Sequence, residues 1–343
     1  MNSEFHYYTL AFLAVKAGFR PQEVQELAWS SQYVDHNQAS WKIHGPSFVL
    51  TTQPTQNYQF WKPEVVQEIL IPFHFIPVGP SVSYSVRLDQ RINFWDVQPN
   101  SPVSKRLLLE ALATKNLFRI GIAFHTWSDT WAHQNFSALL ENWNRTDSRT
   151  LIPPVGHAQA GTVPDEWLGE WTDPRIKDSN VINKMRFLEC AQKSYRYLCL
   201  FQGKDFKASE KDVMDELSEI VEKGRGRTKE NERMLDFILA ADIVPYDRSE
   251  WFEEACEKPE NLLPDFDSSL WEKMKHTASS LRERSGFGPP ISVRAKPGFQ
   301  NSPFYSWIKA AEEHRKSARM VLSELFPSWE NFPLFSEKKE FYL

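Results

Sequence analysis

Apolar residues recur at helical spacing along most of this 343-residue chain, and proline, glycine and polar clusters cut the pattern into segments. Residues 4–17 are apolar-rich and stop at Gly18, a natural helix C-cap. Pro21 then occupies the favoured first position of a second helix, 21–36. Over 41–100 the helical period is lost. Proline, tryptophan, phenylalanine and β-branched residues predict irregular loops there with short extended pieces, such as 48–52 and 68–76. Ser101-Pro102 pairs an N-cap with a first-turn proline and opens a long central helix that should reach about residue 140. Residues 143–174, rich in Pro, Gly, Asp and Thr, read as a long loop; structureless loops beyond ~12–15 residues are uncommon and often functional. Further helices are expected at 179–202, 209–223, 229–242, 267–284 and 303–326, with a Gly/Pro-rich break over 285–302. The fold class is therefore mostly α: a multi-helix bundle with a Pro-rich insertion of irregular chain and short strands. Residues 1–178 are expected to form a helical core carrying the insertion 41–100 and the loop 143–174. No flexible linker separates them from 179–343, whose helices should pack on that core in the same domain.

Composition narrows the function. No apolar run approaches the ~18–20 residues of a membrane-spanning helix. The N-terminus lacks the basic region and cleavage site of a secretory signal. Cys190, Cys199 and Cys256 are too widely spaced for a disulfide framework or a Cys-x-x-Cys zinc motif, so reduced thiols and a cytoplasmic location are expected. A net charge of −5 gives no global basic field for nucleic acid. The one dense basic run, 223–229, lies between acidic helical segments and reads as a solvated loop. A polynucleotide partner is therefore disfavoured against a small-molecule substrate. The 13 Trp and 24 Phe are mostly core, leaving a few to line a pocket for an apolar or aromatic ligand. Oligomeric state is not legible.

The chemistry concentrates on the central helix. His125, Asp129 and His133 stand at i, i+4 and i+8. Steps of four residues, at about 100° each, move a side chain only about 40° around the axis, so the three share one stripe. Imidazole and carboxylate ligands suit zinc or another borderline divalent ion. A buried, mutually bonded polar network explains the stripe alone equally well. Other candidates lie at His6, at Asp35 near the end of the second helix, at His74 in an apolar extended run, and at His157 and Asp165 in the long loop. His44 reads as a loop residue, and His276 and His314 as surface or capping residues of the C-terminal helices.

In chain order the candidates run His6, Asp35, His74, His125, Asp129, His133, His157, Asp165. That succession resembles the ligand order of the zinc-dependent phospholipase C and single-strand nuclease superfamily. The segments Phe5-His6-Tyr7-Tyr8, Gln32-Tyr33-Val34-Asp35, Ile71-Pro72-Phe73-His74-Phe75 and Phe124-His125 through Phe136 resemble more closely a microbial family of unknown function, over about residues 1–175. The superfamily resemblance implies a phospholipase C- or nuclease-like helical fold and three ion sites. Asp35, His74 and His125 would hold one ion, His133, His157 and Asp165 a second, and His6 and Asp129 a third, with Asp129 shared. Two departures stand out. The superfamily uses the amine of a processed N-terminal Trp, whereas this chain carries Met1 five residues before His6, so the third site is expected to be incomplete. The last carboxylate normally follows its His by four residues; Gly161 stands there, and Asp165 is the substitute.

The implied function is a metal-dependent hydrolase acting on a phosphoester. Two or three ions (zinc first, iron or manganese otherwise) would activate water, with Asp35 as ligand and general base. The alternative is a non-catalytic binding or partner protein that metal merely stabilises. A His-Asp-type hydrolase is disfavoured because Asp35-His36 is the reverse dyad, and a di-iron oxygenase because no Glu-x-x-His pair occurs.

Overall fold

The first helix, α1, begins as a π-helical turn over Glu4–Thr9, continues as α-helix over Leu10–Ala17, and closes on Gly18 at φ 87°. Helix α2 spans Pro21–His36, with the bounds its proline and polar end predicted. The computed structural model describes residues 1–80, 82, 84–223, 230–257, 290–327 and 329. The predicted helix 267–284 with His276, and the basic run beyond Lys223, lie outside the described residues.

The expected central helix is two helices. Helix α4 spans Pro102–Thr114, capped by Ser101, and α5 spans Leu117–Ala132. Lys115 turns into the left-handed region at φ 58°, and the Asn116 side chain then accepts hydrogen bonds from the Phe118 and Arg119 amides, capping α5 anew. The helix stops at Ala132, well short of residue 140. The segment 68–76, expected to be extended, is largely helical. A short helix, α3, runs through Pro63–Val65, a π-helical stretch Val66–Leu70, and Ile71–Phe73. Pro72 is accommodated because it stands in the first turn of that last piece, where its missing N–H is not needed.

Beyond the long loop come α6 (Asn183–Phe201), α7 (Glu210–Lys223), α8 (Glu230–Ala241), the short α9 (Glu250–Ala255) and α10 (Pro303–Leu325). Strand β1 (Trp41–His44) pairs antiparallel with β2 (Val49–Thr51). A small ladder joins β3 (Glu170–Thr172) to β4 (Asn180–Ile182). The other edge of β1 pairs in parallel with β5 (Ile291–Arg294), Trp41 opposite Ile291.

The protein is mostly helical, and its core is shared between the two halves of the chain. Leu13, Trp29, Phe124 and Trp127 pack in one cluster with Leu198, Leu217, Phe237 and Trp307. A second cluster seats Val66, Ile71, Trp95 and Leu107 against Val321 and Leu322 of α10. Gly121 sets the closest approach: a Cβ there would lie 2.2 Å from the Leu27 carbonyl oxygen, so only glycine lets α5 press this tightly on α2. No helix among the described residues is long and apolar enough to cross a membrane. Cys190, Cys199 and Cys256 are free and buried.

Candidate metal centre

Five pieces of chain converge on the inner stripe of α5. The helix itself presents His125 and Asp129 one turn apart, and His133 follows as its C-cap residue, its amide donating to the Asp129 carbonyl at 2.8 Å. The close contact at Gly121 brings Asp35, near the end of α2, to the same stripe. His6 comes from the π-helical turn of α1, and π-helical turns recur at functional sites. His74 is the C-cap of α3, and the long loop supplies His157 and Asp165.

Asp129 is the hub. Its Oδ1 lies 3.0 Å from His6 Nε2, and its Oδ2 lies 3.2 Å from His74 Nδ1 and 3.3 Å from His125 Nε2. Asp35 Oδ1 lies 3.8 Å from His74 Nδ1 and 3.6 Å from His125 Nε2. Asp165 reaches His133 Nε2 at 3.5 Å through Oδ1 and His157 Nε2 at 3.3 Å through Oδ2. The His6 ring stacks on His125 at 3.8 Å between centroids, and Phe75 stacks on His133 at 4.3 Å. Most of these side chains are buried; Asp35 keeps 25% exposure at the wall of a cavity.

The Met1 amine enters the same place. It donates to Asp129 Oδ1 at 2.5 Å and lies 3.2 Å from Asp165 Oδ1, fully enclosed. Where the third group was expected to be incomplete, a nitrogen sits beside His6 and Asp129. The resemblance raised an N-terminal amine only as a ligand this chain was expected to lack, because Met1 stands five residues before His6.

Three imidazoles are oriented by backbone carbonyls that sequence reading could not supply. His74 Nε2 meets the Thr55 carbonyl at 2.8 Å, His133 Nδ1 the His74 carbonyl at 2.7 Å, and His157 Nδ1 the Gly161 carbonyl at 2.9 Å. With its outer nitrogen held by a carbonyl, each ring turns its other nitrogen inward, the outer-sphere arrangement of a metal-ligating histidine. Gly161 thus meets His157 through its carbonyl, and Asp165 sets its carboxylate beside the same ring.

Charge gives the same answer. Burial works against ionisation of Asp129, Asp165 and Asp35, yet all three are held below the usual carboxylate range, chiefly by the Met1 amine, His157 and His125 respectively. Burial also opposes charge on the Met1 amine, but Asp129, Asp165 and Asp35 outweigh it and push it up to about 11. His6 goes down to about 3, from burial and from the nearby His125 and amine, so it stays a neutral donor. Three carboxylates therefore face the Met1 amine and His74, which Asp129 and Asp35 push up against the effect of burial, and among the described residues no Lys or Arg is paired with them. Buried charge of one sign calls for a compensating cation. Three sets have ligand atoms within 4.8 Å of one another: His6, His125 and Asp129; Asp35, His74 and His125; His133, His157 and Asp165. The residues present fit divalent ions.

The remaining histidines stand apart from these sets. His36 bonds the Tyr246 hydroxyl at 2.8 Å through Nδ1, and His44 lies on β1. His314, expected at the surface or at a cap, is completely buried: α10 turns it inward, where Nε2 lies 3.0 Å from the Pro72 carbonyl and 3.1 Å from Thr126 Oγ1.

Fold and site together define a mostly helical protein with buried His/Asp groups that could bind metal. A family model matches residues 1–324, and the chain belongs to that family, a family of unknown function (DUF6765). Nothing among curated proteins or solved structures matches it.

Proposed function

We propose that the protein is a metal-dependent hydrolase, with zinc as the first candidate and two or three ions at the centre, acting on a phosphoester. The observation that carries this is the fusion of the ligand sets through His125 and Asp129, beside an open cavity at Asp35. Asp35, His74 and His125 would hold one ion and His133, His157 and Asp165 a second. His6, Asp129 and the Met1 amine would hold a third. Divalent ions there would supply Lewis acidity for an in-line displacement at phosphorus and make water a stronger acid.

The chain's own part is positioning and proton handling. Asp35 is the general base: ionised by its environment and partly open to the cavity, it can orient a water and take its proton on a carboxylate oxygen. Gln32 Nε2 donates to Asp35 Oδ2 at 3.4 Å, fixing the carboxylate's rotation. Phe75, stacked on His133, keeps that side of the centre dry.

The test is hydrolysis of bis(4-nitrophenyl) phosphate by zinc-loaded protein. Chelation should abolish it and zinc restore it, and Asp35→Asn should lower kcat by roughly 10²-fold or more. Fully loaded protein inert toward a panel of phosphoesters would favour the purely structural role of metal.

A further inference from the structure

The cavity beside the centre has a volume of about 690 Å³, the size of a pocket for a small organic ligand. Part of its lining is the centre itself. Much of the rest is apolar: Phe60, Leu70, Phe75, Ala138, Pro153 and Val155. Neutral amides also line it, Gln32, Gln38, Gln56 and Asn57; Met1 is at its wall, and no lysine or arginine lines it among the described residues. Gln32 is 2% exposed; with its Nε2 turned to Asp35, its Oε1 has no hydrogen-bond partner.

These features decide what the cavity can hold. A polynucleotide brings a negative charge with every nucleotide, and single-stranded chains are gripped by basic grooves. Here a second phosphate would meet Asp35, Asp165 and a buried amide acceptor, with no basic side chain to receive it. An uncharged apolar body, in contrast, would cover Phe60, Leu70 and Val155 and remove their surface from water.

Resting on the hydrolase reading above, we infer that the substrate is a small phosphoester with a single phosphate and an uncharged, largely apolar organic group. The cavity selects against polyanions. Calorimetric titration of the zinc-loaded protein with three probes tests this: inorganic phosphate, hexylphosphonate and the dinucleotide pTpT. Hexylphosphonate should bind at least tenfold more tightly than phosphate, and pTpT no more tightly than phosphate. Phe60→Ala should reduce the hexylphosphonate preference by roughly threefold to tenfold, as expected for lost apolar burial, and leave phosphate binding unchanged. Hexylphosphonate no tighter than phosphate, or pTpT the tightest, would overturn the substrate class while leaving the metal centre intact. Failure of the protein to take up zinc, or of phosphate to bind the loaded form, would overturn the hydrolase reading and this inference with it.

Discussion

Each oxygen of Asp129 serves a different neighbourhood, Oδ1 the Met1 amine and His6, Oδ2 His74 and His125. A carboxylate can do this because it accepts at two oxygens with several lone-pair directions. This much was legible in advance: i, i+4, i+8 spacing puts His125, Asp129 and His133 on one stripe whatever the rest of the chain does. The Met1 amine and the orienting carbonyls of Thr55, His74 and Gly161 were not, because a backbone group has no residue-type signature. Another buried carboxyl lies away from the centre. Asp96 accepts from Trp143 Nε1 at 3.0 Å and Gln98 Nε2 at 2.7 Å, but burial outweighs these bonds and pushes it up to about 7. Its folded value exceeds its unfolded one, so its favourable contribution is complete below about 4 and is lost as pH rises through about 7. Asp96→Asn should therefore gain stability relative to the parent between pH 5 and 8, a rise in relative Tm of about 2–4 °C for each kcal/mol released. Thermal unfolding of both proteins at several pH values checks it; a constant Tm difference would mean Asp96 does not titrate as described.

At the scale of elements, a buried histidine pins α10 to α5 and α3. The His314 imidazole accepts from the buried Arg119 guanidinium at Nδ1, and its Nε2 faces Pro72 and Thr126. Burial first, and then Arg119, hold His314 well below the usual histidine range, so it stays neutral and can both accept and donate. His314→Ala leaves the Arg119 guanidinium buried without its acceptor, a loss of about 2–4 kcal/mol measurable by urea unfolding. Zinc stoichiometry at saturation should stay that of the parent, since His314 belongs to none of the ligand sets. A loss of bound zinc at saturation would make it a ligand-positioning residue. Helices α1 and α2 were legible because Gly18 and Pro21 mark their ends. The break between α4 and α5 was not, because apolar spacing continues on both sides of Thr114-Lys115-Asn116 and only the local capping of Asn116 divides them. Residues 68–76 misled through Pro72 and clustered Ile and Phe, which look strand-like until the proline is placed in a first helical turn.

At the scale of the molecule, no described residue of the C-terminal half belongs to the three His/Asp sets, yet that half braces them. Arg233 of α8 forms a two-pronged ion pair with the fully buried Glu4, at 2.5 and 2.6 Å, fixing the π-helical turn that carries His6. Such long-range pairs leave no trace in local pattern, which is why the C-terminal helices looked chemically silent in sequence. The Met1 amine is equally long-range in its contacts, reaching Asp129 of α5 and Asp165 of the long loop. Adding Gly-Ser before Met1 would convert its amine to an amide in an enclosed space, and the bound metal should fall by about one ion, with the other sets retained. Unchanged metal content in that variant would remove the amine from the ligand set. The proposed chemistry requires metal in the protein. Elemental analysis of protein purified without added metal, and without a metal-binding tag, tests that most directly. Two or three equivalents of a divalent transition metal, zinc foremost, are expected. No such metal in the isolated protein, and none taken up on dialysis against zinc, iron or manganese, would contradict this expectation and leave the histidines and aspartates as a buried polar network.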